Sequence, residues 1–393
     1  MKCEMLNMKK MTFKICLYIL ICLFTHQSFA QGVVSSVEKE VTTEKNENIN
    51  LILPNNDKIR YNGELYSVVT ETHADLYRYS KDYFDNGMDG TLRLARARTQ
   101  PGISISFKTN SPLVKLNFAN LENSNVGKKR FSVFKNGVLA FDYISDLEFT
   151  IANPAKDTAQ WEVYLPNFSG VTFLGMELTK GYTLYDSPFE DKPLYLAIGN
   201  SITHGFGQTG TIDTYPYLVA DALGFRHINL ATAGSLISSA ILRNFNDISP
   251  RLITILWGYN DVNREKPLSD VMSVYDSLVS SLCTDFPQAD IYCILQTFTL
   301  TVVGKRNDDN RIDSLRNWTR SIVRKLQKDH DNLYLIDGAD YVKSEADLAD
   351  VAHLNIQGAQ KLAQGIVAEY KANSNIQSDS DDSKIKKERK ENK

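Results

Sequence analysis

Near residue 189 the hydrophobic rhythm of the chain changes from strict alternation to solid apolar runs, and no single kind of sheet accommodates both. Before that point Ile103, Ile105 and Phe107 alternate with Ser104 and Ser106, and Val114, Leu116 and Phe118 alternate with Lys115 and Asn117. Trp161, Val163 and Leu165 repeat the pattern up to Pro166. A period of two sends successive side chains to opposite faces, which suits antiparallel strands with one face on a core. Phe131–Lys135 and Val138–Tyr143 flank Asn136-Gly137, a hairpin signal because both turn positions need positive φ. No long helical period interrupts residues 51–185, so the spacing predicts an all-β sandwich of jelly-roll type.

After residue 189 the apolar runs are Leu194–Ile198, Ile228–Leu230, Leu252–Trp257, Ile291–Phe298 and Leu333–Ile336. Runs of this kind suit parallel strands buried on both faces. Helical patterns over about 214–223, 236–245, 268–285, 309–330 and 356–371 separate or follow them. Such alternation predicts a five-stranded, doubly wound, flavodoxin-like α/β sheet, with its sites at the carboxyl ends of the strands.

The two ends of the chain read differently. Lys2, Lys9, Lys10 and Lys14 precede the apolar run Ile15–Phe24, and Ser28-Phe29-Ala30 supplies small residues for cleavage. This is the layout of a secretory signal peptide, with Met8 or Met11 as alternative starts. The run is too short to span a bilayer as a helix, so the expectation is export, periplasmic or secreted, with no integral membrane segment in the mature chain. The expected organisation is therefore a signal at 1–30, a β-sandwich domain at 31–188 that begins with a polar leader over 31–50, an α/β domain at 189–371, and a disordered charged tail at 372–393. The net charge is -3, and residues 1–30 carry four Lys and one Glu, a net +3, which leaves -6 on the remainder. Mild acidity argues against nucleic acid as a partner. Cys283 and Cys293 are the two cysteines after the signal; they form no disulfide framework, and Cys293 reads as a small buried residue.

Four short stretches fall where an α/β sheet holds its ligand. Gly199-Asn200-Ser201 follows the first strand, where a serine hydroxyl is exposed and its own N–H can face an oxyanion; taken alone it reads as a helix N-cap. Gly234 ends the second strand region and permits close backbone approach, or is a plain turn glycine. Asn260, in Gly258-Tyr259-Asn260-Asp261, offers a neutral amide donor, or a β-turn. Asp350-Val351-Ala352-His353 puts a carboxylate about one turn from an imidazole, where it can hold Nδ1–H and leave Nε2 free to take a proton from a serine.

Taken together, in the order Ser201, Gly234, Asn260 and His353, these stretches resemble the SGNH or GDSL hydrolases over residues 190–371. Gly258-x-Asn260-Asp261 and Asp350-x-x-His353, with Asn355 and Gly358 after it, match the family's blocks; Asn200 stands where the family has Asp. The resemblance implies a metal-free and cofactor-free serine esterase. Ser201, Asp350 and His353 would be catalytic, and the Ser201 N–H, Gly234 N–H and Asn260 amide would form the oxyanion hole. A β-sandwich ahead of such a domain is similar to the layout of two-domain carbohydrate esterases, which implies small acyl, chiefly acetyl, esters on a polysaccharide or oligosaccharide. The alternatives are a lipase or aryl esterase of the same family, and a carbohydrate-binding protein that has lost activity.

Other motifs are weaker. Gly205-Phe206-Gly207-Gln208-Thr209-Gly210 spells the dinucleotide fingerprint but starts too far past its strand, and the second strand ends without an acid for a ribose. It reads instead as a loop edging the ester site. There is no Gly-x-Ser-x-Gly elbow and no His-Glu-x-x-His or paired Cys-x-x-Cys for a metal. His204 and His227 read as packing or supporting residues. Tyr77, Tyr79, Tyr83 and Phe84 read as sandwich core and edge, with a sugar-stacking platform as the alternative.

Overall fold

The computed structural model describes residues 48–142, 145–187, 191–264, 266–300 and 309–391. The expected signal segment and all but the last three residues of the leader lie outside them. The first half forms two antiparallel sheets. One contains β1 (Ile49–Ile52), β3 (Tyr66–Val69), β4 (Ala74–Tyr77), β6 (Leu113–Asn120), β9 (Glu148–Ala152) and β11 (Val171–Thr179). The other contains β2 (Arg60–Asn62), β5 (Ser104–Thr109), β7 (Ser132–Lys135), β8 (Val138–Asp142), β10 (Ala159–Tyr164) and β12 (Leu184–Tyr185). The alternating residues do what their period requires: Phe107, Trp161 and Val163 from one sheet meet Leu116, Phe118 and Phe173 from the other in a single apolar layer. Asn136 and Gly137 take φ of 51° and 77° in the hairpin between β7 and β8.

The second half is a five-stranded parallel sheet of β13 (Leu194–Gly199), β14 (Arg226–Asn229), β15 (Pro250–Leu256), β16 (Asp290–Leu295) and β17 (Leu333–Asp337). Its order is β14-β13-β15-β16-β17, so the chain reverses its direction of winding between β13 and β15, the point at which open α/β sheets place their ligand crevice. Leu196, Ile198, Ile253 and Ile255 pack one face against Leu278 and Leu315. Tyr195, Ala197, Leu252 and Leu256 pack the other against Val219, Leu362 and Ile366. Cys283 and Cys293 are both buried and unpaired, and burial pushes their thiols up to about 11 and about 12.

The structure departs from the periodicity in three places. Around residues 236–245 the chain makes only a six-residue 3-10 turn, Ser239–Asn244, because Ser238 caps it locally and Asn244 Oδ1 accepts from the Ser80 N–H at 2.8 Å. The last helix spans Ile356–Glu391 and continues through the charged stretch expected to be disordered; no Gly or Pro interrupts it after Gly365.

The third departure is the largest. Residues 78–100 are not part of the sandwich core: the chain leaves β4, forms two short helices, α1 (Lys81–Asn86) and α2 (Leu94–Ala97), and returns at β5. Tyr79, Tyr83, Leu92 and Ala97 belong to the core of the α/β domain instead. Arg78 is fully buried and donates to the carbonyls of Thr99 (2.8 Å), Asn229 and Ala231 (2.8 Å). Tyr79 donates to the Leu230 carbonyl at 2.8 Å. These donors satisfy the exit of β14, an edge strand whose carbonyls would otherwise be buried without partners.

Two histidines complete this seam. His204 Nδ1 accepts the Ala233 N–H at 3.0 Å, so its proton sits on Nε2, shared between the Asn167 carbonyl (2.8 Å) and Thr99 Oγ1 (2.9 Å). Burial, reinforced by the Arg78 charge, holds its pKa well below the ordinary value. His227 is also buried, and burial lowers it to about 4.

Two outcomes follow for stability. Arg78→Met leaves several buried carbonyls unpaired, and the urea midpoint at neutral pH should drop by an amount equivalent to roughly 3 kcal/mol; an unchanged midpoint contradicts this account of the seam. The depressed histidines have a defined sign: the unfolded chain takes up their protons below the ordinary value of 6.5 while the fold does not. Stability present above that pH should fall as pH drops from 6.5 towards 5, and the slope should be shallower in His227→Gln. Equal slopes in parent and variant would show that His227 is not held neutral.

Candidate active site

The crevice left by the reversal between β13 and β15 collects all five residues singled out in the sequence. β13 ends in Gly199, where a side chain would meet the Leu256 carbonyl at 2.5 Å, so only glycine lets the strand pass so close to its neighbour. Asn200 is fully buried and its Oδ1 accepts the Ile202 N–H at 3.1 Å, capping a four-residue helix, α3 (Ser201–His204). That cap explains why Asn can stand where the resemblance expects Asp: the accepting oxygen is the same. The Asn200 amide nitrogen is buried without a partner.

Ser201 Oγ lies 2.8 Å from His353 Nε2, and His353 Nδ1 lies 2.7 Å from Asp350 Oδ2. The other carboxylate oxygen, Oδ1, accepts the N–H groups of Ala352 (3.0 Å) and His353 (2.8 Å). Burial pushes the Asp350 carboxyl up, but those N–H donors and the imidazole outweigh it and hold it below the usual carboxylate range. The loop that carries both residues is itself clamped. Asn355 Nδ2 donates to Ala346 O at 2.7 Å, and its Oδ1 caps the last helix (Ile356–Glu391) through the Gly358 N–H at 2.9 Å. The Gly205–Gly210 stretch packs on this loop: the Phe206 ring sits 4.3 Å from the His353 ring and Gln208 Nε2 donates to the Leu354 carbonyl. Phe206 remains 41% exposed, which places an aromatic at the rim.

On the opposite side of Ser201, Thr232 N–H and Ser235 Oγ each donate to the Gly199 carbonyl at 3.3 Å, tying the Gly234 loop to the serine turn. Gly234 has φ 83°, a left-handed conformation that glycine adopts without strain. Its N–H and that of Ser201 have no protein acceptor among the described residues. Asn260 Nδ2 donates one bond to Ser235 O at 2.9 Å, which anchors the amide while an amide group carries two N–H donors. Asp261 is buried and accepts the Ile237 N–H at 3.2 Å; burial raises it to about 6. His204, through Ala233, fixes the residue next to Gly234.

Sequence reasoning missed three arginines here. Arg96 Nη1 donates to Ala233 O at 2.9 Å, and Arg264 Nη2 donates to Gly234 O at 3.0 Å. Arg93 completes the group from α2's N-terminal flank. The only linear signal was the spacing Arg93-x-x-Arg96 in a segment read as sandwich. Of the aromatics weighed as a sugar platform, Tyr79 and Tyr83 are buried and stacked on each other at 5.0 Å, while Tyr77 stacks on Tyr66 at 5.3 Å in a half-buried position. Among the described residues no cluster of His, Cys, Asp or Glu could hold a metal, and no helix is long and apolar enough to cross a membrane.

Residues 197–361 match the family profile described as GDSL-like lipase/acylhydrolase. No curated protein matches the sequence. Solved structures resemble it over most of its length. A salicylyl-acyltransferase from a tetracycline biosynthetic pathway superposes with TM-score 0.69 at 18% identity, covering 83% of this chain and 98% of the other. A family two carbohydrate esterase from Clostridium thermocellum, in complex with cellohexaose, gives 0.59 at 16% over 81% and 99%. An acetyl xylan esterase from the rumen bacterium Butyrivibrio proteoclasticus gives 0.60 at 12% over 83% and 99%. The profile match spans the parallel sheet, and over residues 197–361 the chain is similar to the GDSL-like lipase/acylhydrolase family.

Proposed function

We propose that this protein is a serine esterase that removes small acyl groups, acetyl in particular, from a polysaccharide or oligosaccharide. The observation that carries the reading is the hydrogen-bonded series Ser201 Oγ, His353 Nε2, His353 Nδ1 and Asp350 Oδ2, with contacts of 2.8 and 2.7 Å. In this reading His353 takes the Ser201 proton as Oγ attacks the acyl carbonyl. The tetrahedral oxygen is met by the Ser201 and Gly234 N–H groups and the Asn260 amide. His353 then hands its proton to the departing alcohol, and water, deprotonated by the same imidazole, releases the acid from the acyl-enzyme. Asp350 keeps the proton of the neutral ring on Nδ1 and stabilises the imidazolium. Its depressed pKa keeps it ionised when the medium is mildly acidic.

The glycan alcohol is supported by two observations: the half-exposed Phe206 beside His353, a surface on which a sugar ring can stack, and the shared two-part layout with neighbours named as carbohydrate esterases. An export signal at 1–30 fits a polymeric substrate outside the cytoplasm.

Acetate release from acetylated oligosaccharides tests the reading. The parent should be active and Ser201→Ala slower by at least about 10⁴-fold; equal rates would end it. Asp350→Asn should lower kcat by roughly 10³- to 10⁴-fold through loss of the tautomer and orientation of His353. Asn260→Ala should cost on the order of 10²- to 10³-fold in kcat with little change in KM, as expected of a donor that acts on the transition state. A loss confined to KM would instead make Asn260 a ground-state contact.

A further inference from the structure

Three cationic side chains converge on the loop that carries Gly234. A Cβ placed on Gly234 would lie 3.2 Å from Arg96 Nη1, 3.7 Å from Arg93 Nε and 4.0 Å from Arg264 Nη2. Three guanidinium groups therefore crowd one small volume beside a proposed oxyanion donor. Like charges brought this close repel, and an anion shared among them would offset that repulsion. Yet no carboxylate pairs with any of the three among the described residues. Arg96 and Arg264 bond only to backbone carbonyls, of Ala233 and Gly234. Asp261, the acid within Arg264's field, is buried and turned to the Ile237 N–H.

Several other arginines of the molecule are paired with acids. Arg130, Arg243, Arg251, Arg316 and Arg320 each have a carboxylate within 4 Å. The grouping does not reflect overall charge, since the chain after residue 30 carries a net -6. The positive field is local. Burial, and then the neighbouring Arg93 charge, push the Arg96 pKa below its ordinary value. Positioning is also deliberate in structural terms. Arg93 and Arg96 arrive on the segment that leaves the sandwich at Arg78, and the buried Arg78 and Tyr79 bonds fix where that segment lands. The carbonyl bonds of Arg96 and Arg264 anchor one nitrogen of each and leave other N–H donors of each fork available.

Resting on the esterase reading, we infer that the substrate is an ester carrying a carboxylate, recognised by Arg93, Arg96 and Arg264. The guanidinium fork matches a carboxylate in geometry and charge, and the distance from Gly234 puts that carboxylate within about one sugar ring of the reacting carbonyl. Two sources supply the same group there: an acetylated uronic acid, with the carboxylate on the alcohol side, or a dicarboxylic half-ester, with the carboxylate on the acyl side.

Matched substrate pairs separate the outcomes. One pair is an O-acetyl methyl glucopyranosiduronate against the O-acetyl methyl glucopyranoside; the other is 4-nitrophenyl hydrogen succinate against 4-nitrophenyl acetate. In the parent at low ionic strength, kcat/KM should favour the anionic member of one pair by at least about 10-fold, and which pair identifies the source. Raising salt to 0.5 M should erode that preference and leave the neutral rate of the parent in place, because only the charged contact is screened. The preference should collapse towards one in Arg93→Gln and Arg264→Gln and return in part in Arg93→Lys. Parity in both pairs, or a preference unaffected by salt and by both variants, overturns the inference. The neutral esters keep the two claims apart: Ser201-dependent turnover of 4-nitrophenyl acetate with parity in both pairs retains the esterase and removes the arginine site, whereas no Ser201-dependent turnover of any member removes the esterase reading itself.

Discussion

A hydrogen bond of 2.8 Å between Ser201 Oγ and His353 Nε2 joins two loops 152 positions apart in the chain, and the chemistry proposed here depends on that contact. Neither loop could hold its side chain alone. The serine sits on a four-residue helix, too short to persist without tertiary support, and its position comes from the end of a fully buried strand and the Asn200 cap. The histidine sits on a loop pinned by Asn355 and by the Gln208 bond to Leu354. The parallel sheet is the rigid body that brings both ends together, as open α/β sheets do at the point where their winding reverses.

Around that contact the two halves of the molecule act jointly. The sandwich packs its own apolar layer, but residues 78–100 leave it to pack into the other core. Arg78 and Tyr79 bind the carbonyls at the exit of β14, and His204 bridges Thr99 and Asn167 to Ala233. The loop that presents Gly234 is therefore held from both sides. A break in this buried polar seam would move the Gly234 loop without touching Ser201 or His353, so seam variants are expected to change activity as well as stability.

Much of the candidate site was legible because its signals are local. Gly199-Asn200-Ser201 directly after a buried run and Asp350-x-x-His353 directly before a helix each encode a geometry in a few residues. The parallel strands were legible because burial on both faces leaves a solid apolar run. Residues 78–100 were not legible: helices of six and four residues carry no usable period, and Tyr79 and Tyr83 look the same in sequence whether they fill a sandwich or an adjoining domain. Arg78 alone reads as a surface charge; only the fold reveals carbonyls from residues about 150 positions away as its partners. The grouping of Arg93, Arg96 and Arg264 was hidden for the same reason.

The central claim is that Ser201 is a nucleophile activated by its neighbours. Treating the folded protein with a fluorophosphonate and mapping the adduct by mass spectrometry tests this without any assumption about substrate. The account predicts a single phosphonyl group on the peptide containing Ser201, formed at a rate that falls sharply in His353→Ala. A protein that stays unlabelled, or one labelled at another serine, would contradict it.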